Sequence, residues 1–173
     1  MNFTDAFDFV VGQEGGLSLT ASDPGNWTGG RPGLGKLKGT KFGISAKEYP
    51  TVDIANLDLD QARVFAKNDY WDTFAGDTLP YGVALLMFDT SYNTGLHEAV
   101  LCAQRALGLM VDGVLGVATR AALGAITPET LPAFAKAFTA RRIAAYTQMP
   151  GWGVNGPGWT HRAMATMESA VLA

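Results

Sequence analysis

The segment "YGVALLMFDTSYNTG", residues 81–95, constrains the fold more than any other stretch of the chain. It begins almost wholly apolar, and a helix that is apolar all round is one buried on every side. Such a helix sits at the centre of a mainly α domain, and Gly95 breaks it. Around it the sequence offers further helices. Phe3, Ala6, Phe7, Val10 and Val11 recur at i, i+3, i+4, i+7 spacing and predict a helix over 3–13 with one buried face. "LDLDQARVFAKNDYWDTF" predicts a helix capped near Asp58, with Ala62, Phe65, Ala66 and Tyr70 inward. "LHEAVLCAQRALGL" predicts one ending at Gly108, "VDGVLGVATRAALGAI" a turn and a short helix, and "PETLPAFAKAFTARRIAAYTQM" a long amphipathic one. The glycine-rich "PGWGVNGPGW" leads into a last helix, "WTHRAMATMESAVL".

Between Gly15 and Gly43 regular helix is improbable, because the stretch is rich in glycine and holds Pro24 and Pro32. Short strands or an irregular hairpin are expected there, with "TKFGIS" as a short strand returning to the core. A loop of that length in a small domain is usually functional. The expectation is a single α+β domain over residues 1–173, helical, with a small irregular β lobe near its N-terminus.

Composition removes several function classes. With 173 residues, 47% of them hydrophobic, the chain can bury a real core. A net charge of −3 with 17% charged residues gives no general footprint for nucleic acid. Lys136, Arg141, Arg142 and Arg162 gather near the end and read as a solvated helix face. Cys102, the only cysteine, excludes an internal disulfide and reads as a packed core thiol. His97 and His161 lack cysteine partners and HExxH spacing, so no metal site is expected. "MNFTDAFDFVV" has no basic n-region and carries Asp5 and Asp8, unlike a secretory signal. No run is long enough to span a bilayer, so stable membrane insertion is not expected.

The chemistry centres on "VVGQEGGLSLTASDPGNWTGG", residues 10–30, where an apolar run ends in Glu14. Gly15 and Gly16 alone would serve to stop a helix, so the glutamate asks for its own reason. Glycosidic cleavage needs a carboxylic acid to protonate the leaving oxygen and, in the inverting route, a second group to activate water across the ring. Glu14 beside an apolar wall and Asp23 in a polar turn suit those two tasks. Asp-Pro-Gly is equally an ordinary turn signal. Sugar recognition wants aromatic faces and amides. Tyr92 and Asn93 stand at the end of the central helix, where an asparagine would equally shape the turn. Trp27 lies in the glycine-rich loop, and Tyr70 and Trp71 read as core with an edge left for a sugar.

"EGG", "SDPGNWTGG", "GTKFGIS", "YWD", "LMFDTSYNTG" and "PGWTHR" occur in the order found in glycoside hydrolase family 108, which the chain resembles over nearly its whole length. The resemblance implies a lysozyme-like fold and an N-acetylmuramidase cutting the β-1,4 bond between N-acetylmuramic acid and N-acetylglucosamine in peptidoglycan. It places the catalytic glutamate at Glu14. A more distant likeness to T-even-type phage lysozymes adds an aspartate, Asp23, and a threonine. Thr40 and Thr28 both suit the threonine, and Thr40 is preferred because a strand beside the cleft would hold its hydroxyl against the attacking water. "NWTGGRPGLGKLK" then reads as an insertion that forms a flap over the sugar. "DGVLGVATRAAL" resembles the turn and helix of peptidoglycan-binding modules, which makes residues 95–173 a peptidoglycan-binding-like helical subregion. Its alternative is a plain turn. The family implies no cofactor, and peptidoglycan strands as partner. The expected protein is a monomeric phage endolysin, made in the cytoplasm and released by a holin to act on the wall. A lytic transglycosylase acting through the same glutamate, and a non-catalytic wall-binding or secretion-assisting protein, are the alternatives.

Overall fold

The structure, a computed structural model, describes residues 1–11 and 16–173. Thr4–Asp69 form one compact unit, and Met1–Phe3 with Tyr70–Ala173 form a second. In the first, helix α1 (Phe3–Val11) turns Ala6, Phe7, Val10 and Val11 inward, as the spacing predicts. Strands β1 (Thr40–Lys41) and β2 (Ile44–Ser45) pair antiparallel, Thr40 with Ser45 and Lys41 with Ile44. The single strand expected over "TKFGIS" is therefore a hairpin. Phe42 (φ 52°) and Gly43 (φ 81°) both take left-handed backbone, the combination that closes a two-residue hairpin turn. Helix α2 (Leu59–Ala66) starts in a capping box: Asp58 Oδ1 accepts from Gln61 N at 2.7 Å, and Gln61 Oε1 accepts from Asp58 N at 3.0 Å. Beyond Ala66 the predicted helix changes its winding, first to a π-helical turn over Lys67–Trp71 and then to a 3-10 turn over Asp72–Phe74.

The second unit is built on α3 (Tyr81–Thr94), in which residues 82–91 are all buried. Around it pack α4 (Leu96–Leu107), α6 (Leu131–Tyr146) and α7 (Trp152–Leu172), with α5 (Val117–Gly124) against α4. Seven helices and one two-stranded sheet among the described residues make the mainly α, lysozyme-like fold expected. Helix α7 begins earlier than the sequence suggests. It runs straight through the glycine-rich stretch, with Pro157 inside it. An internal proline ordinarily costs about 3 kcal/mol. The early turns are nevertheless anchored, because the Trp152 ring covers Gly156 so closely that a methyl there would sit 2.8 Å from Trp152 Cε3.

The "VDGVLG" turn is held by Gln104, which is 1% exposed. Its Oε1 accepts from the backbone of Asp112 and Gly113, and its Nε2 donates to Asp112 Oδ1 and Thr119 Oγ1. Asp112 Oδ1 also accepts from Val114 N, closing the turn from within. Cys102 is a core thiol, as expected; burial, aided by nearby Glu98, pushes it up to about 12.

At the middle of this unit lies a buried carboxylate. Asp89 on α3 is 1% exposed and accepts from Arg142 on α6 (2.5 Å), Arg162 on α7 (2.8 Å from Nε) and Thr166 (2.9 Å). The solvated basic face expected near the end of the chain is thus half consumed. Lys136 and Arg141 are exposed, whereas Arg142 is buried and Arg162 turns onto Asp89. Burial pushes the Asp89 carboxyl upward, and the two guanidiniums overcome this and hold it below the usual carboxylate range. A carboxyl lowered by folding stabilises the native state above its unfolded value, and that gain is lost as pH falls through its folded value. Acid unfolding should therefore steepen below about pH 4 in the wild type and be flatter in Asp89→Asn, as read by thermal melts across pH. At neutral pH, Asp89→Ala should lose about 3–5 kcal/mol in urea unfolding, because two guanidiniums are left uncompensated.

Candidate active site

In the N-terminal unit the sequence-predicted residues gather around one that was not singled out, Asn26. The turn "SDPGN" folds as a short 3-10 segment over Pro24–Asn26, capped by Asp23, whose Oδ1 accepts from Gly25 N at 2.8 Å. The cap fixes the Asp23 carboxylate while leaving it exposed. Asn26 is fully buried. Its Nδ2 donates to Thr20 O at 3.0 Å, and its Oδ1 accepts from Thr40 Oγ1 at 2.7 Å. Its backbone carbonyl accepts from both Lys38 N and Gly39 N. One amide thus ties the Asp23 turn to strand β1. Its signal in the sequence is slight, since an asparagine after Pro-Gly reads first as a turn former.

Thr40 and Thr28 differ in what their hydroxyls do. Thr40 is half-buried and gives its proton to Asn26, which leaves its oxygen lone pairs as the part that can meet a water. Thr28 accepts from Lys36 N at 2.9 Å and so clamps the loop. Gly35 (φ 81°) passes directly over that hydroxyl, where any side chain would collide with Thr28 Oγ1. The expected flap is an irregular hairpin in which Trp27 bridges Leu37 and Thr28 N bonds Lys36 O. Trp27, expected to meet sugar, is half-buried, and its Nε1 donates to Ala21 O at 2.8 Å. That bond ties the base of the hairpin to the segment leading into Asp23.

Glu14 lies outside the described residues.

In the C-terminal unit the predicted residues separate into core and surface. Trp71 is 2% exposed, packed by Phe3, Phe74 and Phe88, with its Nε1 donating to Asp77 Oδ1 at 2.9 Å. Nothing of its ring is open to a sugar, so the exposed edge expected there is absent; the change of helix winding at 67–71 ends on this residue. Tyr70 and Tyr92 are half-buried and meet edge to face at 4.8 Å. Asn93 is exposed at the end of α3, and its Oδ1 accepts from Tyr146 Oη at 2.8 Å. Tyr146, which the sequence did not single out, connects Asn93 to the Asp89 cluster through Arg142. Its signal was a tyrosine four residues after Arg142 on one helix face.

Among the described residues no group of three histidine, cysteine, aspartate or glutamate side chains could hold a metal ion, and no helix is long and apolar enough to cross a membrane.

The family model for glycosyl hydrolase 108 matches residues 7–95 of the chain. Among solved structures, that of Brucella abortus SagA is similar at 25% sequence identity; the match covers 98% of this chain and 94% of that one, with a TM-score of 0.79. No curated protein matches.

If Asn26 joins the turn to the strand, Asn26→Ala should lower stability by about 1–3 kcal/mol and speed amide exchange at Ser18 and Thr40, whose backbones bond each other. Unchanged exchange at those two amides would show that the bridge stands without it.

Proposed function

The chain belongs to the glycosyl hydrolase 108 family, and on that premise we propose that it hydrolyses the β-1,4 bond between N-acetylmuramic acid and N-acetylglucosamine in bacterial peptidoglycan. The observation that carries this reading is the family match over residues 7–95, a stretch that contains Glu14, Asp23, Thr40, Tyr92 and Asn93. Glu14 is the general acid that protonates the leaving oxygen. Asp23 and Thr40 serve the water. With Asp23 Oδ1 spent on Gly25 N, Oδ2 is the oxygen left to draw the water's proton. With the Thr40 proton spent on Asn26, its oxygen accepts a hydrogen bond from that same water and aims it. Attack from the face opposite the acid inverts the anomeric centre, a route that wants roughly 6.5–9.5 Å between the two carboxyl groups. The half-buried pair Tyr70–Tyr92 and the Asn93 amide bind sugar, and Trp27 steadies the hairpin that follows Asp23.

The reading extends to biology. The chain is a monomeric endolysin, accumulated in the cytoplasm, freed by a holin, and directed at the glycan strands of the wall.

The decisive experiment is mass analysis of soluble fragments released from purified peptidoglycan by wild type and by Glu14→Gln. Reducing N-acetylmuramic acid ends are expected from the wild type, with release slowed about 10²–10⁴-fold in the variant at an unchanged melting temperature. Anhydro ends would make the protein a transglycosylase, and equal release by both proteins would remove Glu14 from the chemistry.

A further inference from the structure

The network that begins at Asp89 reaches the surface at Asn93, and its hydrogen bonds can run in only one direction. A carboxylate accepts and a guanidinium donates, with no exchange of roles. Arg142 places Nη1 on Asp89 Oδ2 and Nε on Tyr146 Oη at 2.6 Å. The phenol oxygen is therefore the acceptor in that contact and has a single proton left. That proton goes to Asn93, 2.8 Å away. The atom of Asn93 that receives it must be the carbonyl oxygen, so the amide nitrogen faces outward. Every member behind it is locked: Asp89, Arg142 and Tyr146 are each 1% exposed, and the Tyr146 ring packs on Trp159 at 5.4 Å. Asn93 itself is exposed, and its Nδ2 makes no hydrogen bond among the described residues.

An asparagine free to flip offers a ligand either a donor or an acceptor. One held by its oxygen offers a donor only. We propose that Asn93 is a fixed donor that reads the acetamido carbonyl of the bound amino sugar, and that Tyr146, backed by Arg142 and Asp89, is the positioning residue that sets this polarity. The proposal rests on the peptidoglycan reading above and adds to it a selectivity. A sugar carrying an acetamido group presents the acceptor this donor needs. A de-N-acetylated sugar presents an ammonium, which only donates, and sets donor against donor at Asn93. The wall is then distinguished by its degree of N-acetylation, at a position outside the acid and the water.

The test is binding by the Glu14→Gln protein, so that no turnover intervenes, with the trimer of N-acetylglucosamine and the trimer of glucosamine as probes. The side-chain amide signals of Asn93 are followed by NMR. They should shift with the acetylated trimer alone, which should bind about three- to tenfold more tightly, the range of one neutral hydrogen bond. Asn93→Asp keeps an oxygen toward Tyr146 but turns an acceptor outward, and it should reverse the order of the two trimers. Tyr146→Phe frees the amide to flip and should shrink the preference to below about twofold; added to Asn93→Asp it should change nothing further. A merely structural Tyr146 would weaken both trimers alike. Because Tyr146→Phe leaves the buried Arg142 Nε without its acceptor and lowers stability, the exposed Asn93→Asp change is the arm that does not depend on folding. Equal shifts with both trimers, an amide unmoved by either, or an Asn93→Asp protein that keeps the wild-type order would each overturn the proposal. Failure of the hydrolase reading is seen separately, in the fragments that wild type releases from peptidoglycan.

Discussion

A carboxylate cannot be taken out of water without partners, and in this chain that requirement organises the larger unit. Asp89 follows the apolar run of α3 and is fully buried, so α3 is stable there only if other elements bring charge to it. Helix α6 brings Arg142, and α7 brings Arg162 and Thr166. An apolar trio of the same volume can match such a cluster in stability, since desolvation consumes most of what a buried ion pair gains. What the charges add is register. A slip of one residue on either helix would carry its arginine away from Asp89, whereas leucines could repack.

The smaller unit reaches the same end without charge. Asn26 carries both a donor and an acceptor on one short side chain, and it joins three segments that have little regular structure of their own. Gln104 does likewise for the turn between α4 and α5. In each case a buried amide substitutes for the secondary structure that a glycine-rich sequence does not form. The cost of leaving any of those buried polar groups unmet keeps the loops in one conformation.

Periodicity made most helices legible, because a buried face leaves a mark at every third or fourth residue. α3 was plain from its unbroken apolar run, α2 from Asp58 and Gln61, and α4 from Gly95 and Gly108 at its ends. The start of α7 was hidden, since proline and three glycines normally argue against helix and only the packing of Trp152 on Gly156 says otherwise. The pairing of "TKFGIS" into two strands was hidden as well. It turns on a left-handed phenylalanine, a conformation no propensity favours. For the site, candidates for the chemistry and for meeting sugar could be named from their types and motifs. The residues that orient them could not. Asn26 and Arg142 act through long-range contacts that leave no local pattern, Tyr146 shows only its four-residue spacing from Arg142, and Arg142 was even read as part of a solvated surface.

The state of Cys102 has a practical side. A thiol pushed up to about 12 is ionised at pH 8 in on the order of one molecule in ten thousand, and here it is also sealed inside the protein. It is silent toward maleimides and iodoacetamides. A cysteine introduced on the exposed hairpin, at Arg31 or Lys36, would then be the one thiol to take a spin label or a fluorophore. The native core need not be altered to attach a reporter to the loop that Thr28 and Trp27 hold in place, and loop motion during glycan binding can be followed in the otherwise unmodified sequence.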